Sequence, residues 1–384
     1  IVKETNTALL LVSHNMGVIA AACDYVYVMK DGKMIENGCA DDIFYNPQTE
    51  YTKKLLSDAT AEQLLVKEKV FAAQENPLFT VRHLKKRFQN EEGVNDVSFD
   101  ICEGEVFALA GESGSGKTTL AKILTGLEQP DSGEVFCRGE RVDRKNRKRN
   151  KNMHGKVRMI FQDPYSSLNP CMTINEMLTE TLRAKEKQIK FDQKERKKDR
   201  QRQIEQMLTR VGLSSLDGKR YPRELSGGQR QKAAIARALL LEPELLICDE
   251  AVSSLDAATR TQILDLLLRV VKEKKIACLF ISHDMALIRR ISHRTGVLYK
   301  GTLAECAKTR DLCRDPWHPY TKALLSAIPI ADPTIERERK RILLQGDVPS
   351  PVNLPQGCNF CNRCPYATQL CKERKPQLRE IEPG

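Results

Sequence analysis

The run "GESGSGKTT", residues 111 to 119, has the spacing G-x-x-x-x-G-K-[ST]. That spacing holds a phosphate chain when it joins a strand to a helix. Apolar "EVFALA" precedes it and apolar "TTLAKILTGL" follows, so the context is present. Gly111, Gly114 and Gly116 let the backbone turn its N–H groups inward, and the helix start adds partial positive charge. Ser113 and Thr119 lie in the same turn, Lys117 is placed to reach the β and γ phosphates, and the Thr118 hydroxyl to ligate Mg²⁺. A glycine-rich turn with no ligand is the plainer alternative. A second chemical group is "LLICDE", residues 245 to 250, four apolar residues ending in two acids. Asp249 would hold Mg²⁺, directly or through water, and Glu250 would act as general base on an attacking water. Paired acids at a strand end can equally be a solvated loop. A third is the thiol set Cys358, Cys361, Cys364 and Cys371, spaced C-x2-C-x2-C-x6-C. Without any sign of export, four thiols this close suit a metal better than disulfides.

These groups need a buried sheet to hold them. Apolar runs such as "ELLICDE" and "IACLFISH", separated by helical stretches, indicate a parallel sheet covered on both faces in an α/β domain. "PLFTVRHL", "GVNDVSFDI" and "GEVFALAG" are strand-like, and a helix is expected from Lys117. Cys248 and Cys278, inside such runs, are expected to be small buried hydrophobes. At 384 residues, with 41% hydrophobic and 29% charged, the chain has room for two or more cored domains. No run approaches a membrane span and no signal peptide opens the chain, so a cytoplasmic protein is expected. The net charge of +11 concentrates at 138 to 158 and 183 to 203, where a solvated face competes with an anionic partner.

The sequence also repeats itself. At an offset of 269, residues 11 to 57 align with 280 to 326 without a gap. "LVSHNM" falls on "FISHDM", Gly32 on Gly301, Glu36 on Glu305, and "NPQTEYTKKLLS" on "DPWHPYTKALLS", as expected of a duplicated module. The division expected is therefore 1–59, the end of a first domain; 60–77, a linker; 78–330, a complete module; and 331–384, a separate Pro- and Cys-rich appendage. Because the chain opens in mid-strand at Ile1, the natural protein is expected to extend N-terminally by most of one domain.

With "LSGGQ" at 225 to 229, "FQDP" at 161 to 164, "SSLD" at 253 to 256 and "ISHD" at 281 to 284 in that order, the module resembles the nucleotide-binding domain of an ABC transporter. The resemblance spans about 250 residues and implies a P-loop NTPase fold, α/β with a mixed sheet and a helical subdomain. It further implies two such domains closing head to tail on two ATP molecules. Ser226, Gly227, Gly228 and Gln229 would then meet the γ phosphate held by the other domain, with Asp256 beside it. Gln162 would sense Mg²⁺ and the attacking water, and His283 would contact the γ phosphate. Taken singly, Gln162 is a surface polar residue and His283 a satisfied core histidine. Phe88 stands where the family stacks an aromatic on adenine, with a core aromatic as the alternative. By the offset, His14 is a second switch histidine whose own phosphate loop lies outside this chain. Ala251 replaces the proline usual after the glutamate, and activity is expected to survive this.

"FQDPYSSLNPCMTI", "HPYTKALLSAIP" and "GDVPSPVNLPQGCNFCNRCPYA" narrow the resemblance to ATP-binding subunits of oligopeptide, dipeptide and nickel importers. Membrane permease subunits, an extracellular solute-binding protein and a second nucleotide-binding domain are the partners it implies, with the chain peripheral on the cytoplasmic face of the membrane. Some subunits of this group hold a [4Fe–4S] cluster in this extension. Their pattern supplies Cys358, Cys364 and Cys371, whereas Cys361 falls where other residues stand; zinc or no metal are the alternatives. Two other functions compete: a soluble ABC ATPase acting on nucleic acid or ribosomes, which should carry an inserted arm or long coiled coil, and an activation factor for a redox enzyme.

Overall fold

The computed structural model describes residues 7–13, 15–63, 77–89, 91–142, 156–186, 193–253, 255–346 and 355–381. His14, most of the expected linker and much of the first basic run lie outside them.

The N-terminal segment is a helix, Met16–Ala22, then a hairpin of β1 (Tyr25–Lys30) and β2 (Lys33–Cys39), then helices Ala40–Tyr45 and Glu50–Gln63. The boundary expected at residue 59 thus falls inside a helix. The main module carries β3 (Phe79–Phe88), β4 (Glu91–Ile101), β5 (Val106–Ala110), β6 (Ser132–Cys137), β7 (Glu140–Arg141), β8 (Val157–Ile160), β9 (Leu245–Asp249), β10 (Ala277–Ser282), β11 (Arg294–Tyr299) and β12 (Thr302–Lys308). One sheet runs β12-β11-β5-β10-β9-β8 and is parallel except for the antiparallel edge strand β12. A second, antiparallel sheet runs β4-β3-β6-β7. The mixed sheet matches the expectation; the split into two sheets was not foreseen.

Alternation on the parallel strands explains their unbroken apolar runs. Val106, Leu246, Cys248, Cys278 and Phe280 face one core, together with the helix Ala257–Lys274 and the helical region. Phe107, Leu109, Leu245, Ile247 and Ile281 face the other, with Leu120 and Leu124 of the helix Lys117–Leu124 and with Val81 and Val97 of the second sheet. A strand covered on both faces has no side that could be polar. Cys248 and Cys278 are buried in this sheet, as expected, and their mutual contact together with burial pushes the Cys248 thiol well up. Between β8 and β9 the chain is helical, including Ile174–Glu186, Gln193–Arg210 and Gly227–Leu239. Ile174, Leu178, Leu182, Ile204 and Leu208 pack there at helical spacing, each burial contributing about 1.5–3 kcal/mol.

Residues 11–57 and 280–326 share local geometry. The β1–β2 register shifts between Val28 and Met29, and the β11–β12 register shifts between Val297 and Leu298, at the same offset. Asp31 (φ 48°) and Gly32 (φ 74°) match Lys300 (φ 42°) and Gly301 (φ 75°). Glu36 accepts the N–H groups of Gln48 and Thr49 at 2.7 and 3.1 Å, as Glu305 accepts those of Trp317 and His318 at 2.9 Å. Asn15 caps Met16–Ala22 as Asp284 caps the helix Met285–Ile291.

The C-terminal extension is not a free appendage. Phe360 packs on Tyr299, Tyr320 and His318, and Asn359 Nδ2 donates to the Lys300 carbonyl at 3.0 Å. The extension also holds the N-terminal segment: Tyr45 donates to Asp332 at 2.7 Å and Arg337 pairs with Asp41 at 3.2 Å, while just before it Pro329 lies against Gly17.

Candidate functional site

The phosphate loop leaves the fully buried β5 and enters the helix at Lys117. Its path requires glycine at two points. Gly111 (φ 149°) would place a Cβ 2.2 Å from the Leu298 carbonyl, and Gly116 (φ 104°) would place one 2.2 Å from the Gly93 carbonyl. Gly114 (φ 73°) is open to solvent and needs glycine only for its backbone. No side chain caps the helix at Gly116, so the first N–H groups of the helix are left for a ligand. Ser113 and Thr118 are exposed and Thr119 is half-buried beside these donors.

Lys117 is buried and its ammonium folds back on the loop, donating to the Gly111 and Glu112 carbonyls at 2.8 Å and to Ser115 Oγ at 3.2 Å. Burial lowers its pKa, opposed by Glu250, Asp249 and Glu112. These acids keep a cation at the place where phosphate oxygens would gather. An uncapped helix start beside a buried cation fits a nucleotide's phosphates.

β9 delivers both acids. Asp249 is buried, its carboxyl pushed up by burial and by Glu250 and held back by a hydrogen bond with Thr118 and by Lys117. Thr118 and Asp249, the two residues expected at Mg²⁺, thus lie together; the ion would supply positive charge to the phosphate oxygens. Glu250 turns out of the strand with φ 47°, its N–H donating to the Ile281 carbonyl at 3.0 Å. The turn brings its carboxylate between two partners: Gln162 Nε2 donates to Oε2 at 3.0 Å, and His283 Nδ1 lies 3.1 Å from Oε1. Gln162 follows β8 and His283 follows β10, so neighbouring strand ends converge on one carboxylate. The three residues expected to be catalytic meet in one place.

Phe88 ends β3 with 38% of its surface exposed, Lys86 Nζ 5.2 Å from the ring centroid and Gly93 against one edge. Gly93 in turn abuts Gly116, so the half-exposed ring stands beside the phosphate loop rather than in the core.

Ser226, Gly227, Gly228 and Gln229 start the helix Gly227–Leu239. Ser226 Oγ accepts the Gln229 N–H at 3.3 Å, and Gln229 Oε1 accepts the Ser226 N–H at 3.0 Å. Gln229 Nε2 donates to Asp217 at 3.3 Å within the helical region. Asp256 caps the helix Ala257–Lys274, accepting the Thr259 N–H at 2.9 Å. These contacts lie at the helix starts of the signature and of Asp256. Ser254 lies outside the described residues.

Among the described residues no group of three or more His, Cys, Asp or Glu side chains is arranged to hold a metal ion. The Cys358 N–H donates to the Cys371 carbonyl at 2.7 Å, which ties together the two ends of the cysteine-bearing stretch. Cys361 is buried beside Phe360 with its Sγ 3.4 Å from Asn362, and Cys371 Sγ lies 3.3 Å from the Thr368 hydroxyl, which lowers its pKa. Burial pushes the Cys358 thiol up, toward the neutral form. These cysteines form no metal-holding group among the described residues, and no chemistry is derived through an iron–sulfur cluster. Sequence reasoning missed Tyr320, whose hydroxyl accepts the Glu112 N–H at 2.8 Å, and Arg363, paired with the Glu112 carboxylate at 3.0 Å. Neither carried a signal, since Tyr320 sat in an apolar helix pattern and Arg363 between cysteines.

Residues 94–253 match the ABC transporter family, and residues 304–371 match the oligopeptide/dipeptide transporter C-terminal region. A putative oligopeptide transport ATP-binding protein of Bacillus subtilis, YkfD, is 46% identical over 313 residues, 80% of this chain and 93% of that protein. The glutathione import ATP-binding protein GsiA of Escherichia coli is 38% identical over 92% of this chain, which spans only 60% of that relative's length. Among solved structures, a dimeric ABC transporter cassette, MJ0796, aligns with TM-score 0.55 and 26% identity over 60% of this chain and 99% of its own. CbiO1 of Clostridium perfringens, TM-score 0.56 and 23% identity over 63% of this chain and 92% of its own, shares the fold. With the phosphate loop, the acid pair and the matched C-terminal region, the chain belongs to the ATP-binding, ATP-hydrolysing proteins of the oligopeptide/dipeptide ABC transporter family.

Proposed function

We propose that this chain powers an importer for peptides or related small solutes, hydrolysing ATP at a head-to-tail pair of nucleotide-binding domains and driving separate membrane subunits. The convergence of Gln162 and His283 on Glu250, beside Asp249 and Lys117, carries the reading. In it, Glu250 takes the proton of the attacking water while Gln162 and His283 orient its carboxylate. Lys117 and the loop N–H groups hold the β and γ phosphates, and Phe88 stacks on the base. Ser226, Gly227, Gly228, Gln229 and Asp256 serve the site of the opposing domain, where the start of the helix Gly227–Leu239 would present its N–H groups to the γ phosphate.

Residues 11 to 57 are read as a second copy of the switch region, in which His14 corresponds to His283. The matched bulges, caps and Glu36 contacts support that reading. No helix among the described residues is long and apolar enough to cross a membrane, so permease subunits, fed by a solute-binding protein, would supply the path and hold this chain on the cytoplasmic face. Peptide and glutathione cargo are named for YkfD and GsiA respectively, and either class suits the proposal. ATPase activity in vesicles should rise with permease, binding protein and cargo peptide together; stimulation by RNA or ribosomes instead would overturn the transport reading. The proposal of a [4Fe–4S] centre rests on cysteine spacing and resemblance alone. Anaerobically purified protein would have to show iron–sulfur absorption that Cys364→Ser removes.

A further inference from the structure

Glu112, the second residue of the phosphate loop, has all its polar groups engaged. Its carbonyl accepts from Lys117 Nζ at 2.8 Å and its N–H donates to the Tyr320 hydroxyl at 2.8 Å. Its carboxylate takes both terminal nitrogens of Arg363, at 3.0 Å from Nη1 to Oε2 and 3.4 Å from Nη2 to Oε1. The Arg363 side chain is 9% exposed and that of Glu112 is 32% exposed. Two-pronged guanidinium–carboxylate contacts out of bulk water are among the stronger charge-assisted hydrogen bonds.

Both partners come from far along the chain. Tyr320 is fully buried in the helix Pro319–Ser326, and Arg363 sits in the turn between Cys361 and Cys364. That turn is itself anchored, by Phe360 among three aromatic rings and by Asn359 on the Lys300 carbonyl. A rigid part of the extension therefore grips the residue whose carbonyl holds the phosphate-binding lysine.

We propose that Arg363 is a positioning residue for nucleotide binding: through Glu112 it fixes the backbone of the phosphate loop, so that the C-terminal extension sets the ATP affinity of the loop it backs. The inference rests on ATP binding at residues 111 to 119, and ATP affinity of the unaltered chain tests that premise separately. The grip needs a fixed charge with two prongs, and a small displacement of a ligand cradle is costly.

The experiment is a double-mutant cycle on the full chain, reading ATP affinity with Mg²⁺ by titration calorimetry and melting temperature in parallel. Arg363→Ala should weaken ATP about five-fold, within the coupling range of contacting residues, and Arg363→Lys should recover part of the loss. Glu112→Ala should weaken ATP similarly, and the double variant no further. Unchanged affinity in Arg363→Ala would overturn the proposal. So would losses that multiply in the double variant, or a loss in Arg363→Ala that Lys does not relieve at all. If Arg363→Ala does not fold, Arg363→Gln enters the cycle in its place.

Discussion

Replacing Glu250 by Gln removes one function from the site while leaving its shape. The amide can still accept from Gln162 through its oxygen at the 3.0 Å position and can offer its NH₂ to His283 Nδ1 at the 3.1 Å position when that nitrogen is unprotonated. The loss is then confined to the proton acceptor. General-base catalysis contributes about 10²–10⁴-fold, equivalent to about 3–5 kcal/mol of barrier. Steady-state phosphate release should therefore fall at least about 100-fold. ATP affinity should change little, because Lys117 and the loop donors stay in place. A Glu250→Gln chain that keeps more than a tenth of the activity would refute the assignment, and one that loses ATP binding would show that the carboxylate holds the site together instead.

Gly116→Ala drives a Cβ to 2.2 Å from the Gly93 carbonyl at φ 104°, so calorimetry should find ATP binding abolished, alongside a lowered melting temperature. Ser226→Ala removes the acceptor of the Gln229 N–H and should cost about 1 kcal/mol in chemical denaturation. Glu36 is pushed up by burial, but hydrogen bonds from the Gln48 N–H and from Thr52 and Thr49 outweigh this and bring its pKa down to about 2. Its folded pKa is depressed, so its stabilisation is complete above the unfolded value of about 4.3 and is lost as pH falls toward about 2. The stability gap between the unaltered chain and Glu36→Gln should be widest near neutral pH and close in acid; a gap independent of pH between about 5 and 2 would contradict it.

The chemistry of the ATP site was legible because local rules specify it. Gly111, Gly116 and Lys117 declare a strand–turn–helix, and "LLICDE" declares a buried strand that ends in charge. Less legible was what depends on distant pairing. The second sheet joins β3 to β6 across the whole phosphate loop, and nothing in the alternation of either strand names its partner. The Glu112–Arg363 pair spans 251 residues, and an arginine between cysteines reads as part of a metal motif until the fold brings it to the loop. The cysteine spacing says less, for the opposite reason. Spacing constrains where thiols lie along the chain, whereas ligation requires all their Sγ atoms to face one point, and here Cys361 and Cys371 face Asn362 and Thr368. The likeness of residues 11–57 to 280–326 could be read from sequence because its anchors, Asn15 and Glu36 among them, serve local contacts.

Glu250 stands at φ 47°, a conformation that costs a side-chain-bearing residue on the order of 1 kcal/mol. Glycine would adopt the same backbone without that penalty. Glu250→Gly relieves that strain but gives up the contacts with Gln162 and His283, so its melting temperature should change little while the proposed turnover is lost. On the proposed mechanism the strain at this position serves turnover, so laboratory lineages freed from ATP hydrolysis should tolerate change there early.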